Sequence, residues 1–133
     1  MRAIAAHIDE FEPDLYIQAL VAVASCDGMT NDELDFIKGQ AQMLGVDPAA
    51  ALAAPVMVHD VSRAMTQITR KLVYRDCYVL ASIDGAPNAR ERGILDQLQT
   101  VLGLTPEVCG KIEDWMNRYS ALLEEGETLL ADA

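Results

Sequence analysis

The feature that most constrains this chain is a short block of sequence that occurs twice. Residues 24–33 and residues 81–91 both contain Ala-Ser-x-Asp-Gly, followed by an Asn and then by a Glu. The second copy carries one extra residue between its Gly and its Glu. Further along, a Leu-Gly pair follows each copy, at residues 44–45 and 102–103. The repeat therefore predicts a fold made of two similar halves.

Each copy lies between two apolar segments with helical periodicity. The glycine of each copy is suited to end the first helix, because it adopts the left-handed C-cap conformation at little cost. Thr30 and Glu33 are spaced as the N-cap and third residue of a capping box, and so are Asn88 and Glu91. Each block is therefore predicted to close one helix and to open the next.

The pattern as a whole predicts an all-α fold, a compact bundle of about seven helices with an internal pseudo-two-fold duplication. A single domain should span residues 1–133, with similar halves at 12–48 and 69–106. Weaker helical segments are expected over 3–11, 49–54 and 56–67. Apolar residues make up 51% of the chain and aromatic residues only 5%. Small and aliphatic side chains should therefore fill the core, which favours helices over sheet.

The longest amphipathic helix is predicted over residues 106–131. Apolar residues recur there every three or four positions: Val108, Ile112, Trp115, Met116, Tyr119, Leu122 and Leu123. Gly126 is a helix-breaking residue near the end of this segment.

The charge balance narrows the range of partners. The formal net charge is −11 and the pI is about 4.4. Such a protein repels phosphate backbones, so no nucleic-acid partner is expected. The same charge suits a divalent cation or a protein partner with a basic surface.

Cysteine usage and hydropathy predict a soluble, cytoplasmic protein that does not insert into a membrane. Cys26, Cys77 and Cys109 show no CxxC spacing and fall within apolar helical patterns, which is typical of reduced thiols in a core. The first residues do not have the pattern of a signal peptide. The longest apolar run, residues 49–58, is far shorter than the ~20 residues of a spanning helix.

Asp27 and Asp84 are the most distinctive polar residues. Helical spacing places each on a buried face and at a helix C-terminus, where the helix dipole disfavours an anion. Backbone N–H groups of the next turn, a basic residue (Arg70, Lys71 or Arg75) or a bound cation would each compensate. Neither copy has EF-hand spacing, so a cation site would need residues from both halves.

The chain resembles the TerB-like (tellurite-resistance) family over roughly residues 12–116. The resemblance is carried by the duplicated block, including Asp27 and Asp84, and by the Leu-Gly pairs that follow it. The resemblance implies a bundle of about seven helices with internal pseudo-symmetry and no established enzymatic activity. It also implies a link to tellurite and other chemical stress, and metal binding by acidic residues near the motif. Asp27, Asp84, Glu33 and Glu91 match the family's acidic positions and are the metal ligands that the resemblance implies.

This sequence departs from the family's pattern in two ways. Family members often have Ala before the Asp, where this chain has Cys26 and Ile83. Arg92 follows Glu91, whereas the first copy has the apolar Leu34 after its Glu. Two equal sites are therefore not expected.

Three functional hypotheses follow. The first is a non-enzymatic TerB-like binding module, with a divalent cation as its only implied cofactor and no catalytic residues. The alternative is a protein–protein interaction adaptor, in which the Asp-Gly motifs are purely structural and the acidic surface binds a basic partner. The third is a hydrolase that uses the carboxylate pair, although no nucleophile or substrate-fixing group accompanies it.

Overall fold

The computed structural model describes residues 8–25, 29–82 and 85–131. Within these ranges the chain forms a 3₁₀ turn (Ile8–Glu10), seven α-helices and no strand, which confirms the predicted all-α fold class. The pseudo-two-fold duplication stays a prediction. The helices are α1 (Pro13–Ser25), α2 (Asn31–Leu44), α3 (Ala49–Ala53), α4 (Val58–Ser62), α5 (Gln67–Ala81), α6 (Ala89–Leu102) and α7 (Pro106–Ala131).

Local sequence signals explain where the longer helices begin and end. The prolines Pro13 and Pro106 occupy the first positions of α1 and α7, where a missing N–H group leaves no helical bond unmade. Gly45 and Gly103 end α2 and α6 with φ angles of 72° and 68°, in the left-handed conformation that favours glycine.

The core is built around α1 and α5. Helix α1 packs against α2, α3, α4 and α5, and α5 also packs against α6 and α7. Helix α6 contacts α4 as well, which closes the bundle on that side. Tyr16 and Leu20 on α1 and Val73 and Tyr74 on α5 are almost fully buried. The first helix of each predicted half therefore lies at the centre of the fold.

The helix expected over residues 56–67 is shorter than predicted. Helix α4 covers only Val58–Ser62, and Thr66 instead serves as the N-cap of α5, which begins at Gln67. The backbone N–H of Thr66 donates to Glu12 Oε1 (2.6 Å), and its hydroxyl donates to the Glu10 carbonyl (2.6 Å). These contacts with the start of the chain hold Thr66 in an extended conformation, which a helix through this position would not allow.

The ends of the chain also differ from expectation. Of the segment predicted as a helix over 3–11, the described part is the 3₁₀ turn Ile8–Glu10, and residues 1–7 lie outside the described residues. At the other end, α7 continues through Gly126, so the predicted break there is wrong.

The C-terminal half of α7 extends beyond the helices that cover its first half. Cys109, Ile112 and Met116 are buried, but no described residue of α7 after Met116 is. Three residues of the predicted amphipathic pattern, Tyr119, Leu122 and Leu123, are therefore more than half exposed. In the described ranges, no helix has the length and apolar character that crossing a bilayer requires.

Candidate functional site

The two copies of the repeated block form two helix starts with the same hydrogen bonds. In the first copy, Glu33 N–H donates to Thr30 Oγ1 (3.1 Å), and Thr30 N–H donates to Glu33 Oε1 (3.0 Å). In the second copy, Glu91 N–H donates to Asn88 Oδ1 (2.8 Å), and Asn88 N–H donates to Glu91 Oε1 (3.0 Å). Both predicted capping boxes are confirmed.

These two helix starts line the same cleft, although they are far apart in the sequence. The cleft has a volume of about 350 Å³ and is open to solvent. Its floor is apolar and comes from α1, α5 and α6, with Leu20, Leu80 and Ile94 among its residues. Its polar rim consists of residues from the two copies: Thr30, Asp32, Glu33, Asn88, Arg90 and Glu91.

The rim is predominantly acidic. Asp32, Glu33 and Glu91 contribute three carboxylates, whereas Arg90 contributes one guanidinium group. The carboxylates lie in the first turns of α2 and α6, where the positive end of the helix dipole stabilises an anion. The fold can therefore hold this negative charge at the cleft without destabilising either helix.

The cysteine in the cleft floor is not suited to covalent chemistry. Burial raises the pKa of the Cys77 thiol above its usual value, and the charges of Asp76 and Glu33 raise it further. The thiol therefore stays protonated at neutral pH, and a thiol is a far weaker nucleophile than a thiolate. Cys109 is also a buried free thiol, and burial raises its pKa to about 11. Both residues act as small core side chains, as predicted; Cys26 lies outside the described residues.

The four metal ligands implied by the family resemblance divide into two pairs. Glu33 and Glu91 come together at the cleft, and each uses one carboxylate oxygen in its capping box. Asp27 and Asp84 lie outside the described residues. Among the residues that are described, no group of three or more His, Cys, Asp or Glu side chains could hold a metal ion. Metal binding at these positions stays a prediction.

A buried polar network at Asp76 was missed by the sequence analysis. Asp76 is 5% exposed and accepts hydrogen bonds from the Tyr16 hydroxyl and from Arg75 (Nε to Oδ1, 2.9 Å). Gln40 Nε2 donates to the Tyr16 hydroxyl at 2.9 Å, and the Arg75 guanidinium carbon lies 5.6 Å from the centre of the Trp115 ring. The network joins α1, α2, α5 and α7. An anionic residue three positions after Val73 on an apolar stripe is the signal that could have revealed it.

A second network explains why an arginine follows Glu91. Arg92 makes two hydrogen bonds to Glu113, from Nη1 to Oε1 (2.9 Å) and from Nη2 to Oε2 (2.7 Å). The Tyr74 hydroxyl donates to Glu113 Oε2 at 2.5 Å. The second half of the chain thus places an ion pair at this position, because α7 packs beside it.

Two of the basic residues considered as partners of the motif aspartates have structural contacts of their own. Arg70 donates from Nε to the Met65 carbonyl (3.1 Å) and from Nη1 to the Leu102 carbonyl (2.9 Å), so it caps the C-terminus of α6. Arg75 pairs with Asp76. The Arg70 contact joins α5 to the end of α6, and Arg75 compensates the buried charge of Asp76.

No family model, no curated protein and no solved structure matches this chain.

Proposed function

We propose that this protein is an interaction module that binds a basic, amphipathic segment of a partner protein. The observation that carries the proposal is that both copies of the repeated block meet at one cleft with an acidic rim and an apolar floor. A Lys or Arg side chain fits such a site, because its aliphatic stem packs on apolar surface while its charged head stays at the rim. The net charge of −11 adds long-range attraction for a basic partner.

A neighbouring groove supports a partner of this amphipathic kind. The groove has a volume of about 400 Å³, and Pro55, Met57 and Val101 are among the largely apolar residues that line it. Val23 and Ile94 line both the groove and the acidic cleft, so the two lie side by side. A segment with a basic side chain in the cleft would place a neighbouring apolar side chain in the groove.

The test is the binding of a labelled peptide rich in lysine and leucine, followed by fluorescence anisotropy. Glu33→Gln with Glu91→Gln removes two rim charges but keeps an oxygen that can accept each capping hydrogen bond. We expect affinity to fall about three- to tenfold with melting temperature nearly unchanged. Met57→Ser, at a position 63% exposed, should weaken binding of the same peptide by removing apolar contact.

Two controls separate specific docking from general attraction to an acidic protein. Glu124→Gln with Glu127→Gln makes the same change in net charge on α7, away from the cleft, and should leave affinity close to that of the wild type. The same peptide with its lysines acetylated should bind poorly. Equal losses of affinity in the two double variants would rule out the cleft as the docking site.

A divalent-cation site is the second candidate function. It is favoured by the meeting of Glu33 and Glu91 at one cleft, since a site assembled from both halves requires such convergence. Hard cations bind several oxygen ligands, and the motif aspartates would have to supply the rest. The link to tellurite and chemical stress, and the absence of catalytic activity, are expectations from the family resemblance.

Thermal unfolding of the metal-stripped protein tests the cation. A melting temperature that rises with Ca²⁺, Mg²⁺, Mn²⁺ or Zn²⁺ concentration would support a site, because a ligand that binds only the folded state stabilises it. The rise should vanish in the Asp27→Asn, Asp84→Asn variant and shrink in Glu33→Gln with Glu91→Gln. No shift of the melting temperature with any of these cations would argue against the cation site, and peptide binding would remain as the one proposed function.

A further inference from the structure

The C-terminal half of α7 carries an apolar stripe that the described part of its own chain does not cover. Tyr119 is 54% exposed, Leu122 66% and Leu129 71%, and Trp115 at the base of the stripe is 40% exposed. The fifteen residues from Trp115 to Leu129 span about 22 Å of helix. A continuous exposed apolar surface of this length on a soluble domain indicates an interaction surface.

The stripe has heptad spacing. Its members follow one another at alternating intervals of four and three residues: Trp115, Tyr119, Leu122, Gly126 and Leu129. Such spacing keeps one seam of a helix against a partner helix. The seam covers only two heptads.

Gly126 lies on this seam, in the interior of a helix where glycine is a poor choice. A Cβ atom added at Gly126 would meet nothing within 4 Å in the described part of its own chain, apart from the backbone of the same helix. Packing within the described chain therefore gives no reason for a small residue at this position. A bulky side chain from a second helix would give one.

We propose that α7 pairs with α7 of a second copy of this chain, as an antiparallel two-helix seam around a two-fold axis. In one register, Tyr119 of each copy packs beside Leu122 of the other. One heptad away, the same register places Trp115 of each copy against Gly126 of the other. The largest and the smallest residue of the seam thus meet twice, once on either side of the axis.

The flanking charges fit the same register. Arg118 and Glu125 are exposed and seven residues apart, too far to pair along one helix. Arg118 directly precedes Tyr119 of the seam, and Glu125 directly precedes Gly126. In an antiparallel pair these flanking positions of the two helices face each other. Arg118 of each copy then lies beside Glu125 of the other, so the dimer gains two ion pairs.

A parallel pair would not have this complementarity. It would place Arg118 beside Leu123 of the other copy and Glu125 beside Leu130 of the other copy, so neither charge would gain an ion pair. It would also stack Gly126 on Gly126, which leaves the centre of the seam empty. The observed sequence therefore favours the antiparallel arrangement. The pairing does not depend on the proposed peptide binding, because no residue of α7 lines the cleft.

Sedimentation velocity over a concentration range from about 1 to 500 µM tests the dimer, whose population must rise with concentration. Leu122→Glu should weaken association at least about tenfold, because it buries a charge at the centre of the seam. Thr128→Glu makes the same charge change on another face of the exposed half of α7 and should dimerise like the wild type. Circular dichroism of both variants checks that the helix is intact.

A charge exchange tests the register itself. Arg118→Glu should weaken the dimer several-fold by placing two acidic residues together, and Arg118→Glu with Glu125→Arg should restore it. A wild-type protein that stays monomeric throughout the range would overturn the proposal and assign the stripe to a different protein. A double variant no stronger than the single one would overturn the antiparallel register.

Discussion

At the scale of single residues, the buried carboxylate of Asp76 is the group that most needs a charged partner and hydrogen bonds from its neighbours. A buried carboxylate is costly unless its charge is paired and its oxygens accept hydrogen bonds. Arg75 supplies both the charge and two hydrogen bonds, from Nε at 2.9 Å and from Nη2 at 3.2 Å, and the Tyr16 hydroxyl supplies another. Burial raises the pKa of Tyr16 above its usual range, and the charge of Asp76 adds to this, so the hydroxyl stays a donor at neutral pH.

Asp76→Asn should therefore destabilise the fold by about 2–3 kcal/mol, because Arg75 and Tyr16 lose a charged hydrogen-bond acceptor in a buried network. Urea unfolding at neutral pH gives the free energy of unfolding. Asp114→Asn, at an exposed position of α7, should change it by less than about 0.5 kcal/mol. Tyr16→Phe should lower the free energy of unfolding less in the Asp76→Asn variant than in the wild type. Equal losses in the two backgrounds would argue against a coupled network.

At the scale of helices, the two Leu-Gly ends look alike in sequence but differ in their surroundings. Gly45 and Gly103 both end a helix with positive φ. A Cβ atom at Gly45 would meet none of the described residues within 4 Å, whereas one at Gly103 would lie 3.3 Å from Arg70 Nη1. That same nitrogen donates to the Leu102 carbonyl at the end of α6. The second helix end thus depends on a contact with α5 that the first one lacks.

Gly45→Ala should cost about 1 kcal/mol, the usual penalty for a side chain in the left-handed region. Gly103→Ala should cost a few tenths of a kcal/mol more, because the new methyl group pushes the Arg70 guanidinium aside by a few tenths of an ångström and weakens its hydrogen bond to the Leu102 carbonyl. Both values come from urea unfolding. In an Arg70→Ala background the two glycine substitutions should cost the same. If the difference between them persists there, Arg70 is not its cause.

The helix ends that could be predicted are those with local causes. Thr30 with Glu33 and Asn88 with Glu91 form caps within one turn of helix, and such caps can be identified from neighbouring residues alone. Thr66 could not be recognised as an N-cap, because its extended conformation depends on Glu10 and Glu12, more than fifty residues earlier. Periodicity alone made residues 56–67 resemble a single helix.

At the scale of the whole molecule, the candidate site depends on packing that the repeat only suggests. Spacing predicts Glu33 and Glu91 as capping-box residues, and only the family resemblance implies that they bind a ligand. Their meeting at one cleft results from the packing of α1, α5 and α6. The exposure of Leu122 and Leu129 could not be predicted either, because an amphipathic pattern does not specify which apolar residues a neighbouring helix covers.

Helices α5, α6 and α7 are held together by the Glu113 carboxylate, which lies on α7. It accepts hydrogen bonds from Tyr74 on α5 and from Arg92 on α6. Burial alone would raise the pKa of Glu113, but the hydrogen bonds from Arg92 and Tyr74 and the charge of Arg92 outweigh it, so the pKa lies below its ordinary value of 4.5. The folded state therefore binds this proton less readily than the unfolded chain.

The sign of the pH dependence follows from this difference. A carboxyl whose pKa is lowered on folding contributes its stability above the unfolded pKa and loses it as pH falls through the folded pKa. The free energy of unfolding should thus decline below about pH 5.

Glu113→Gln should cost about 1–3 kcal/mol at pH 7, and the cost should shrink toward pH 3, where the wild-type carboxyl is protonated. Some decline should remain in the variant, because the backbone hydrogen bond from Thr66 also lowers the pKa of Glu12. Urea unfolding from pH 7 to pH 3 measures both curves, with Glu124→Gln expected to follow the wild type. Parallel curves for wild type and Glu113→Gln would mean that this carboxylate does not link folding to pH.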